Sequence, residues 1–178
     1  DQLREHELYV HSATRLNGRE QPYLKSLGLG APRTVCTQEG LATYAEFITK
    51  TMDRNRLRRI ALRIKAISMA LEGGDFIDVF RFFLSLGQSE RESFQSAARV
   101  FRGGDVRGRH VFTKDVVYLQ GLVSVQKFLA DAAAQGNTNY PRYLFLGRLT
   151  LADIPAFEPL IHAGFVALPH YVPTWVQA

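Results

Sequence analysis

Arg4-Glu5-His6-Glu7-Leu8-Tyr9-Val10-His11 is the stretch on which the reading of this chain turns. Two imidazoles bracket a carboxylate, close to the H-E-x-x-H pattern in which two histidines on one helix face share a zinc ion and the glutamate beside the first serves as general base. Here the second histidine follows at the fifth position rather than the fourth. At ~100° per residue, a spacing of four leaves two side chains ~40° apart, and a spacing of five leaves them ~140° apart. A regular α-helix therefore cannot aim His6 and His11 at one ion. A single-turn π-bulge between them would absorb the extra residue, and such bulges concentrate at functional sites.

Outward from this stretch, composition bounds the answer. The 178 residues suffice for one sizeable core, and no shift in composition marks a second domain. The expectation is one α-rich domain over 1–178. Because the motif begins within six residues of Asp1, which is not an initiator Met, we expect the C-terminal part of a longer protein. The net charge of +5 suits an acidic partner but falls short of a nucleic-acid signature. Cys36 is the single cysteine, which excludes an internal disulfide framework and fits a reducing, cytoplasmic location. No run approaches the ~20 apolar residues of a membrane span.

Taken in order, residues 3–16 read as helix, broken by the turn dipeptide Asn17-Gly18, with a loop over 17–37. Thr37 reads as N-cap of a helix from Gln38 to about Met52. Asp53 caps a helix from Arg54 to about Glu72, whose arginines form a basic face without interleaved aromatics, which argues against nucleic-acid stacking. Asp75 starts a helix to Leu86 that is apolar nearly all round and so is expected to be buried. Ser89-Glu90-Arg91-Glu92 fits a capping box for a helix to about Arg102. The glycine-rich stretch from Arg102 to Asp115 lacks phosphate-loop spacing, and Val111-Phe112 suit a short strand. Thr113 or Asp115 suits the cap of a helix from Val116 to Ala134. Further helix is expected at 142–149 and 152–163, then an irregular tail. The fold class is mainly α, with at most one or two short strands.

A catalytic zinc site needs three protein ligands and an open position. Glu39 suits the third place, on the helix after the intervening loop, although a carboxylate in a first helical turn also has a purely electrostatic explanation. Glu46, about two turns on, competes with it, either as ligand or as an acceptor holding a ligating imidazole. His110, His162 and His170 have no partner at ligand spacing.

Gln38-Glu39-Gly40-Leu41-Ala42 is the string that names the QEGLA-motif family of bacterial proteins, some labelled flavohaemoglobin expression modulators. The chain resembles that family and its animal relatives, the tubulin tyrosine carboxypeptidases, which carry E-E-G-L-A at this place. Further matching blocks are His6-Glu7-x-x-x-His11, Arg15-Leu16-Asn17-Gly18 through Gln21-Pro22, and Phe112-Thr113-Lys114-Asp115-x-x-Tyr118-Leu119-x-Gly121-Leu122. Their order and spacing agree along residues 6 to 122.

The resemblance implies a zincin-like helical metallopeptidase with His6, His11 and Glu39 as zinc ligands and Glu7 as general base. It favours Glu39 over Glu46, because E-G-L-A is shared whichever residue precedes it. For the last block, the expectation is that Lys114 or Arg102 receives a substrate carboxylate and Tyr118 donates to the oxyanion. The implied activity is carboxypeptidase-like hydrolysis of a peptide or protein C-terminus. The competing reading is a non-catalytic regulatory module that keeps a structural metal site. The animal substrate does not carry over with the resemblance, and the sequence gives no oligomeric state.

Overall fold

A computed structural model describes residues Asp1–Gln177, and these are helical with no strand among them. The mainly α expectation is met. Among the described residues no helix is long and apolar enough to cross a membrane. Contacts divide the chain into two compact units, Asp53–Val116 and the remainder.

Local signals govern the Asp53–Val116 unit. The Asp53 carboxylate accepts from the Arg56 amide at 2.6 Å and starts α3 (Arg54–Leu71), the third α-helix after α1 (Ala13–Arg19) and α2 (Val35–Ile48). α4 (Phe76–Ser85) opens with a reciprocal capping box between Asp75 and Asp78. α5 (Glu90–Val100) opens with the expected box between Ser89 and Glu92. Ala66, Ile67, Val79, Phe83, Ala97 and Val100 fill the space between the three helices. The expectation that α4 is buried all round fails. Only Val79 and Phe83 are buried on it, while Ile77 and Leu84 are exposed, since α3 and α5 cover one face alone.

The glycine-rich stretch after α5 is an ordered crossing rather than a strand. The amide of Phe112 donates to Val100 O at 2.8 Å, that of Asp105 to His110 O at 2.8 Å, and that of Arg109 to Ala70 O at 2.7 Å. Val111 and Phe112 thus spend no hydrogen bonds on a sheet partner. Gly108 sits at φ +91°, and a Cβ there would lie 2.6 Å from the Gly74 carbonyl oxygen. Buried Asp115 is gripped by the Arg99 guanidinium, with Nη2 to Oδ1 at 2.8 Å, and lies 3.5 Å from Arg63 Nη1.

Long-range contacts govern the other unit. It opens with a nine-residue π-helix, Arg4–Ser12, that continues as α1. Asn17-Gly18 does not break this helix. Asn17 is 2% exposed, its amide nitrogen donates to Phe145 O and Tyr171 O, and its oxygen accepts from the His170 and Tyr171 amides. Gly18 is required by closeness, since a Cβ would lie 2.3 Å from the Leu27 carbonyl carbon. Two 3-10 turns, Lys25–Gly28 and Pro32–Thr34, follow, and the second runs directly into α2. Thr37 is therefore buried within α2 instead of capping it. Glu39 then lies beyond the first turn, which holds no acidic residue, so helix-end electrostatics no longer accounts for it.

α6 (Val116–Ala134) starts where expected and meets α2 backbone to backbone. A Cβ on Gly40 would lie 2.3 Å from the Gly121 carbonyl carbon, and one on Gly121 would lie 2.3 Å from Cys36 O. The expected helix over 142–149 shortens to α7 (Tyr140–Tyr143). Beyond it the carbonyls of Phe145 and Leu146 turn to the side-chain amides of Asn17 and Gln21 instead of a helical ladder. α8 (Asp153–His162) follows as read, and the tail closes in α9 (Thr174–Gln177), where Trp175 packs on Phe145 and Tyr44. Val10, Leu41, Phe145, Leu146 and Ile154 form the centre of this unit.

Candidate metal centre

The π-helix solves the spacing problem posed by the sequence. Bonding to the fifth residue winds the chain at roughly 80° per residue, so positions five apart return to within ~50° of each other. The expected single-turn bulge is in fact the whole Arg4–Ser12 segment. His6 and His11 come edge to face with ring centroids 4.9 Å apart. By the same winding Glu7 falls ~30° past His11, on the side away from His6, and its side chain is exposed to solvent.

α2 brings Glu39 to the same point. Its Oε2 lies 3.4 Å from His6 Nε2 and 3.5 Å from His11 Nε2. One ligand atom from each of the three residues lies within 4.8 Å of the others. A tetrahedral ion with bonds of ~2.0–2.1 Å sets its ligand atoms about 3.3 Å apart, close to the two edges that meet at Glu39 Oε2.

Glu46 takes the opposite side of the His6 ring. Its Oε1 lies 2.6 Å from His6 Nδ1, and the residue is fully buried. A carboxylate on Nδ1 fixes the ring orientation and leaves Nε2 for the Glu39 side, the arrangement typical of metal-binding histidines. Both places that the sequence left open for Glu39 and Glu46 are thereby filled, one on each nitrogen. Burial alone would pull the His6 pKa down; the hydrogen bonds and charges of Glu39 and Glu46 outweigh it and push it up to about 9. Two carboxylates facing one imidazole call for a cation, whether a proton or a metal.

Tyr118 on α6 places its ring 6.4 Å from that of His6, half-buried beside the cluster. The Gly40–Gly121 contact accounts for its position, since Tyr118 lies one turn before Gly121. Lys114 and Arg102 belong to the Asp53–Val116 unit. Both are exposed, and the Arg102 guanidinium lies 5.7 Å from the centre of the Phe112 ring. Sequence reasoning passed over Thr14 and Gln38, two buried polar residues that touch between the helices bearing the cluster. Thr14 offered no signal beyond a polar residue on an apolar helix face.

Fold and site together define a class: a helical protein with a candidate His-His-Glu metal site. The sequence model of a family described as microtubule-associated tyrosine carboxypeptidase matches residues 1–178, and the chain belongs to that family. No curated protein matches the chain.

Proposed function

We propose that this protein is a zinc-dependent, carboxypeptidase-like metallopeptidase that acts on the C-terminus of a peptide or protein, in line with its family. The observation that carries the reading is the convergence of His6 Nε2 and His11 Nε2 on one oxygen of Glu39, at 3.4 and 3.5 Å. His6, His11 and Glu39 would hold the ion, with Glu46 orienting His6. The bound ion would supply Lewis acidity at the scissile carbonyl. Glu7, next to His6 in the chain and open to solvent, takes the proton of the attacking water and returns it to the leaving amine. Tyr118 donates its phenolic hydrogen to the developing oxyanion. The Q-E-G-L-A string supports placing the chain with the QEGLA-motif branch, and the lone Cys36 supports a cytoplasmic location.

The test pairs metal analysis with turnover of peptides that end in an aromatic residue. Zinc near one per chain is expected in both wild type and Glu7→Gln, with turnover lower by ~10²-fold or more in the variant. Equal turnover would remove Glu7 as the base. Zinc without turnover in any peptide would favour the regulatory module.

A further inference from the structure

The cluster's geometry depends on two choices: π rather than α winding in Arg4–Ser12, and the axial register of α2 against that helix. The His6–Glu46 bond fixes the ring of one histidine, but leaves the winding near His11 to something else. Three residues beyond His11, Thr14 is fully buried. Its Oγ1 lies 2.8 Å from Val10 O, 3.3 Å from His11 O and 2.9 Å from the side-chain amide of Gln38. Val10 precedes His11, and Gln38 precedes Glu39. A single hydroxyl thus joins the backbone beside one candidate ligand to the residue beside another.

The proton count sharpens this. A threonine hydroxyl has one hydrogen but can also accept. With Gln38 Oε1 towards Thr14, two or more acceptors would share that hydrogen, while Gln38 Nε2 would be buried with no partner. Amide oxygen and nitrogen are exchanged by a half-turn of the terminal group, and the surroundings decide which arrangement holds. Turned so, Gln38 Nε2 donates to Thr14 Oγ1, and Thr14 donates to Val10 O. The overcommitted hydroxyl disappears, and the buried orphan becomes an amide oxygen instead of an N–H donor. Under-satisfied carbonyl oxygens are tolerated more often than orphaned N–H groups, which favours the turned arrangement.

We infer that Thr14 and Gln38 are positioning residues: their hydrogen-bonded chain to Val10 O holds the π-helix and α2 in the register that brings His6, His11 and Glu39 together. A glutamate at 38 cannot donate; it competes for the hydroxyl's one hydrogen and so takes it from Val10 O, whereas a serine at 14 keeps the chain. A leucine at 38, or a valine at 14, removes the chain while conserving much of the volume.

This inference rests on the metal reading above for one of its two readouts. Zinc affinity is measured by chelator competition, and cobalt-substituted spectra are recorded, for wild type, Thr14→Val, Thr14→Ser, Gln38→Leu and Gln38→Glu. Thr14→Val and Gln38→Leu are expected to weaken zinc binding by ~10–100-fold, the range for residues that support metal ligands, and to alter the cobalt spectrum. Thr14→Ser is expected to retain both, whereas Gln38→Glu, which draws the hydroxyl hydrogen away from Val10 O, is expected to weaken binding as Gln38→Leu does. The second readout is amide hydrogen exchange in the metal-free protein. Exchange at His11, Ser12 and Ala13 should rise ~10-fold in Thr14→Val and Gln38→Leu relative to residues elsewhere in the same unit. If wild type binds no zinc, the metal reading fails, and exchange alone decides the tie. Unchanged exchange in Thr14→Val and Gln38→Leu would overturn it, as would unchanged affinity and cobalt spectrum in a zinc-binding protein.

Discussion

The Asp53–Val116 unit and the unit holding the candidate metal centre are both helical, yet different kinds of information build them. In the first, α3, α4 and α5 each begin with a side chain that accepts a hydrogen bond from the helix's own first turn. In the second, the π-helix, α1 and α2 begin with no side-chain cap. Their geometry is imposed from far along the chain, by Glu46 on His6, by Phe145 and Tyr171 on Asn17, and by Gly121 on Gly40. The lesson is that the candidate site sits where local preference is overruled. A π-helix is not what these residues choose alone; tertiary contacts must hold it.

The sharpest way to break this contrast is Gly40→Ala. A methyl group 2.3 Å from backbone has no flexible neighbour to displace, so a loss of about 3–4 kcal/mol is expected in urea denaturation. An effect below about 1 kcal/mol would show that the α2–α6 contact is softer than the long-range account requires.

Next in size is Glu46→Gln. Zinc affinity should fall by ~10–100-fold, as for other carboxylates that orient a ligating imidazole. The same variant bears on pH in the metal-free protein, where the His6 pKa is raised from 6.5 to about 9. A raised pKa means that the folded state holds the proton more tightly than the unfolded one. The stabilisation is therefore complete below about pH 6.5 and is lost as pH rises through about 9. In Glu46→Gln this dependence should shrink, which a pH series of melting temperatures and an NMR titration of the imidazole would both show.

The smallest effect is expected from Ser89→Ala, at about 1 kcal/mol, the usual cost of removing a helix N-cap. It should appear as faster amide exchange in α5 with zinc affinity unchanged. A loss of affinity here would contradict the division of labour between the units.

The same contrast explains what the sequence disclosed. Asp53, Asp75 and Ser89 announced their helices because a cap is a signal among neighbours within three residues. Thr37 carried the same signal falsely, because Pro32–Thr34 had already started the helix as a 3-10 turn. Asn17-Gly18 read as a turn because both residues are rare inside helices, whereas their reasons lie with Phe145, Tyr171 and Leu27, far off in sequence. π-winding was legible only by requiring His6 and His11 to face one ion. Glu46 was legible as a choice between two places, and the ring nitrogen it faces needed coordinates.

The bare crossing of Gly40 and Gly121 has a mechanical consequence. With no side chains between them, the two backbones meet at one point, about which any tilt of one helix on the other would pivot. Glu39 lies one residue from that pivot and Tyr118 three, so their lever arms along the helices are about 1.5 Å and 4.5 Å. A tilt of about 10° would carry the Tyr118 backbone by roughly 0.8 Å while Glu39 shifts by only about 0.3 Å. For any such tilt the Tyr118 backbone moves about three times as far as the Glu39 backbone.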